Sequence, residues 1–185
     1  MSYRRIWHNL RCMKIRLLLN VIGRQVQGAS KIDGRMMRQV SEIPEGTLFT
    51  FVVEPNVVQL SLYKHANRIE RLSLDDYESL MKSDAPPSNV TTCRMRSFNE
   101  FTVLSHGYES ISQCIANQRV FLEGPANITL RFIQLISVSL LYLYPRSIAM
   151  RTVKRYQMPV KSCGRRLNIY AALPFQKRGS IHGVD

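Results

Sequence analysis

The chain has 185 residues, 45% of them hydrophobic, and a formal net charge of +13. That length suits one domain of ordinary size with extensions. Four cysteines without a Cys-x-x-Cys pair exclude a disulfide-rich or zinc-ribbon scaffold and point to a reducing compartment. The charge is unevenly spread. Residues 1–38 and 146–185 each carry nine Lys/Arg against one Asp, whereas residues 39–145 carry eight Lys/Arg against eleven Asp/Glu. A mildly acidic middle therefore lies between two basic ends.

The first segment, 1–38, reads as a basic amphipathic helix. Ile6, Leu10, Met13, Leu17 and Val21 recur at helical spacing, with Trp7, Leu18 and Ile22 beside them. Arg4, Arg5, Arg11, Lys14 and Arg16 place positive charge around that stripe, and no acid precedes Asp33. Two destinations fit: an anionic membrane surface, with Trp7 in the lipid interface, or the protein's own core. An Arg-rich transit segment has the same composition. A secretory signal does not fit, because Leu17-Leu18-Leu19 is cut short by Asn20 and Arg24.

A hairpin follows. Gly46 to Val53 is apolar on both strand faces, so it is buried on both sides or lines an apolar cavity. Glu54-Pro55-Asn56 supplies a turn, and Val57 to Tyr63 alternates as a half-exposed strand. Ser73 opens a helix carrying Tyr77, Leu80 and Met81, and 84–89 is a loop. Ser97 and Glu100 then have the spacing of a capping box. Phe98, Phe101 and Leu104 follow at helical spacing, and Gly107 falls where a left-handed cap is wanted. Ser110 to Ala116 forms a short turn. Asn117 tolerates left-handed backbone ahead of the strand Val120 to Glu123, which stops at Gly124-Pro125. The last element is a helix with Ile128, Phe132, Leu135, Ile136, Leu140 and Leu143 on one face. Its thirteen uncharged residues, 132–144, are too few for the ~20 that span a bilayer. Tyr142 and Tyr144 suit a pocket mouth or a headgroup region. Residues 146–185 interleave basic clusters with Tyr156, Tyr170 and Phe175, as single-stranded nucleic-acid binding does and as a solvated tail does.

The order helix, glycine, short turn, strand, glycine and apolar helix resembles the C-terminal half of the sterol-carrier-protein-two-like lipid-binding domain. Phe98, Phe101, Leu104 and Gly107, then Ile115-Ala116, then Val120, Leu122 and Gly124, then Phe132 and Leu135 carry the resemblance. With the hairpin it covers residues 43–144. Ala66-Asn67-Arg68 departs from the family's more usual Asp-Gly turn. The resemblance implies an α+β fold, a mainly antiparallel sheet covered by helices on one face, with basic extensions at 1–38 and 146–185. It also implies non-catalytic binding or transfer of a lipid or isoprenoid-like molecule in an apolar tunnel. The lining expected is Phe49, Phe51, Phe98, Phe101, Leu104, Phe132, Leu135, Ile136 and Leu140. No cofactor or metal is expected beyond a bound lipid, since the histidines are scattered and no phosphate loop or nucleophile elbow is present. A cytoplasmic protein at or near a membrane surface fits. Two rival readings stay open: a basic nucleic-acid or ribosome-associated protein, and a protein-interaction module without ligand.

Overall fold

The computed structural model describes residues 2–54, 58–84 and 86–143. Among these residues six helices and five strands follow one another: α1 (Ser2–Ile32), α2 (Gly34–Ser41), β1 (Thr47–Val53), β2 (Val58–His65), β3 (Arg68–Leu72), α3 (Leu74–Lys82), β4 (Asn89–Met95), α4 (Phe98–Ser105), α5 (Ile111–Ala116), β5 (Val120–Glu123) and α6 (Ala126–Leu143). The strands make one sheet in the order β3-β2-β1-β4-β5. Three pairings are antiparallel, and β1 runs parallel to β4. The fold is thus α+β with a mainly antiparallel sheet. The parallel pair needs a long return path, which β2, β3 and α3 supply.

Helix ends follow from local chemistry. Ser73, Ser97 and Ser110 each close a capping box, with Asp76, Glu100 and Gln113 as the returning side chains. At the end of α4, Tyr108 N–H donates to Val103 O and Gly107 N–H to Leu104 O, a Schellman pair around Gly107 at φ +70°. The same pair recurs after α5, where Arg119 N–H reaches Cys114 O. There the left-handed residue is Gln118 at φ +55°, not Asn117, which keeps φ −84°.

Two cores flank the sheet. The large one buries Phe49, Phe51 and Val53 of β1 with Leu60 and Leu62 of β2 and Cys93 and Met95 of β4 under α1, α2, α4 and α6. The small one puts Leu48, Leu72 and Leu80 under α3 on the opposite face. That double burial explains why β1 is apolar on both faces.

The helix expected over 1–38 forms only as far as Ile32, where Asp33 starts α2, and of its expected stripe Ile22 docks while Leu10, Met13 and Leu17 do not. Cys12, Ile15, Leu19, Ile22, Val26 and Ala29 are buried, while Trp7, Leu10, Met13 and Leu17 are exposed. Gly23 lets the helix lie close to the sheet: a Cβ there would sit 2.7 Å from Leu60 Cδ1 and 3.0 Å from Arg71 Cδ. The second half of α1 is therefore core, and the boundary read at residue 38 does not separate it from the domain. Beyond it, Asp33 caps α2 by accepting from the Arg35 and Met36 amides, and Tyr142 Oη donates to its other oxygen. Tyr142 is consequently buried against the α1–α2 corner rather than placed at a mouth.

Candidate functional site

Eight of the nine residues expected to line a tunnel meet in the large core: Phe49, Phe51, Phe98, Phe101, Leu104, Phe132, Leu135 and Ile136. The side chain of Leu140 lies outside the described residues. Phe49 stacks on Phe132 with ring centroids 4.7 Å apart, and Phe51 meets Phe101 edge-on at 6.2 Å. The space between them is small. A crevice walled by Leu19, Ile22, Phe51, Phe101, Leu104 and Ile136 encloses about 10 Å³. That is roughly the room of one water probe, about 10–15 Å³. The phenylalanines pack as a core, where the sequence led us to expect an open apolar space.

A larger space lies beside it. A cleft of about 340 Å³ opens between α1, β2, β3 and the start of α3. Its volume falls within the range of small-molecule sites, about 300–1,000 Å³. One wall is basic and polar: Arg16 and Asn20 from α1, and Arg71 from β3. Arg71 is buried, because register puts it on the helix-covered face opposite Leu62, and its Nη1 donates to Asn20 Oδ1 at 2.8 Å. The other wall is apolar, with Leu19 and Leu60, and Leu74 at the rim. Among the described residues no carboxylate lines the cleft. Leu19 and Leu60 border both this cleft and the apolar crevice, so these two side chains form the partition between them.

The chain's shape has counterparts. It is similar to a UbiJ-SCP2 ubiquinone synthesis protein, at 15% identity and a TM-score of 0.42, over 72% of this chain and 98% of that one. It is also similar to sterol carrier protein-2 like-3 from Aedes aegypti, at 12% identity and a TM-score of 0.33, over 57% of this chain and 93% of that one. Both carry the name of the family that residues 43–144 resemble. No protein-family model matches the chain, and no curated protein matches it. A likeness at this level leaves ligand and activity to be argued from the chain's own residues.

Among the described residues no group of three His, Cys, Asp or Glu could hold a metal ion. Burial pushes the Cys93 thiol up to about 12 and the Cys114 thiol up to about 11. Both stay protonated at neutral pH and are poor nucleophiles. Of the residues expected at a membrane surface, Trp7, Arg11, Lys14 and Arg16 are all exposed, and Arg16 also lines the cleft. The side chains of Arg4 and Arg5 lie outside the described residues, as does 146–185 with the aromatic residues of the nucleic-acid reading. Arg71, Asn20 and Ser73 were absent from the expected site. The signal for Arg71 was an arginine set between the apolar Ile69 and Leu72 of β3, and the partner that gives it meaning is 51 residues away.

Proposed function

We propose that this chain binds, without catalysis, a small amphiphilic molecule that carries a negative group. The observation behind the reading is the shared Leu19–Leu60 partition between a basic cleft and an apolar core. An anionic group placed in the cleft meets Arg16 and the buried Arg71 guanidinium, a planar donor suited to carboxylate or phosphate. An apolar tail follows the Leu19 and Leu60 wall. It enters the phenylalanine core only if Leu19 and Leu60 change rotamer, since the crevice now holds about 10 Å³. A lipid or isoprenoid-like carrier role would draw on this arrangement.

Native mass spectrometry of protein purified without detergent tests it, followed by solvent extraction of any adduct. A long-chain carboxylic acid should then bind more tightly than the alcohol of equal length, and Arg16→Glu should remove that preference. Arg16 is exposed, so the change spares the fold. A bare polypeptide mass, with neither probe binding at micromolar concentration, would sink the ligand reading. The filled phenylalanine core favours a second reading in that event, an accessory module that binds protein.

A further inference from the structure

We propose that the outward face of α1 docks on an anionic phospholipid surface. Trp7, Leu10, Met13 and Leu17 are 61%, 47%, 63% and 66% exposed. At 100° per residue they share one side of the helix, opposite the side that buries Ile15, Leu19 and Val26. Four large apolar side chains in one stripe are more than the scattered exposure a soluble surface shows.

Charge selects the occupant. The helix, Ser2–Ile32, contains no acidic residue, and Arg11, Lys14 and Arg16 are exposed around the stripe. A second copy of this chain would bring like charges together, so self-pairing is opposed. An anionic lipid surface satisfies both features, taking the apolar stripe at the acyl boundary and the basic side chains at the phosphates. The mode is interfacial, because no helix among the described residues is long and apolar enough to cross a membrane. The described side chains from Trp7 to Arg11 are all exposed, so this stretch of the helix can enter the interface. Leu17 is next in sequence to Arg16 of the cleft, and Leu74, 59% exposed, lines the cleft as well. Docking by this face therefore brings the cleft's rim close to the lipid. The docking itself does not depend on what the cleft holds.

Trp7 is the sole tryptophan, so intrinsic fluorescence reads this face alone. Full-length protein is titrated with phosphatidylcholine vesicles, with and without phosphatidylglycerol. The emission should shift to the blue with the anionic vesicles, less so as salt rises, and brominated lipid should quench it. Leu10→Glu with Leu17→Glu should lower vesicle affinity by about tenfold or more while the far-ultraviolet circular dichroism is unchanged. That variant keeps every basic residue of 146–185, so undiminished binding would mean that the basic tail carries the attraction and would overturn the proposal. So would an unshifted, unquenched Trp7 in wild-type protein at saturating anionic lipid. A Trp7 shift caused by an acidic protein and by no vesicle would replace lipid with a protein partner.

Discussion

Gly124 ends β5 with φ +126°, a conformation in which side-chain-bearing residues are strained. A Cβ there would sit 2.6 Å from the Val90 carbonyl oxygen and 3.0 Å from Thr91 Cα. These are backbone atoms of the neighbouring strand β4, so they cannot swing aside. Gly124→Ala should cost about 3 kcal/mol of stability by urea unfolding, strain and crowding together. The turn between β2 and β3 has the opposite fault. Ala66 and Asn67 take φ of +47° and +59°, the pattern of a type I′ hairpin turn. Asn tolerates it; Ala does not. The departure from Asp-Gly seen at 66–68 in the sequence is thus a chemical departure within an unchanged turn. The turn is held by Glu45, which accepts from Lys64 Nζ at 2.6 Å and from the Asn67 amide at 3.0 Å. That hydrogen bond from Lys64 is also the main reason the Glu45 carboxyl lies below its usual range. Replacing Ala66 by Gly should stabilise the protein by about 1 kcal/mol, since an L-residue in this region costs about 1–2 kcal/mol. An unchanged urea midpoint for both variants would mean that neither turn has the backbone described.

At the scale of elements, α1 shows which sequence signals decide a fold and which mislead. Two apolar stripes run along it, and the one with Trp7, Leu10, Met13 and Leu17 stays in solvent. The docked side is marked by what lies further along the helix. Gly23, Val26 and Ala29 continue the Ile15–Leu19–Ile22 face with small residues, and only that face allows the helix to approach Leu60. Alanine at the two neighbouring leucines separates the stripes. Leu19→Ala, at a residue 2% exposed, should cost about 3 kcal/mol, and Leu17→Ala, at one 66% exposed, less than about 0.5 kcal/mol. Equal costs would place the docked face on the wrong side. Elements framed by their own residues were legible: the capping box of Ser97 and the glycines at 107 and 124 bound α4, β5 and α6 as read. Strand β4 was not, because Asn89-Val-Thr-Thr-Cys-Arg-Met alternates polar and apolar residues weakly and is fixed by parallel pairing with β1, about forty positions earlier. The core phenylalanines were legible as apolar positions; that they pack so closely was not, since the packing is set by several helices at once.

At the scale of the whole molecule, the question is how closed the large core is, because a tail can enter it only if the core yields. Cys93 reports on that. It lies on β4 paired with Phe51, fully buried, with burial and the nearby Cys114 thiol holding its proton up to about 12. An unfolded cysteine releases its proton near about 8.5. Between those values the unfolded chain binds fewer protons than the folded one, so stability falls as pH rises; below about 8.5 the two states are equally protonated and Cys93 adds no slope. The slope contributed is at most about 1.4 kcal/mol per pH unit. Other groups titrate in the same range, so the measurement is a difference: urea unfolding of wild type and Cys93→Ala from pH 8 to about 10.5. The variant should start less stable, by the small cavity it creates, and lose stability less steeply. Parallel slopes would mean that water already reaches Cys93 in the folded protein. The core would then be open enough to admit a tail without displacing Leu19 and Leu60, and the partition between cleft and core would lose its role.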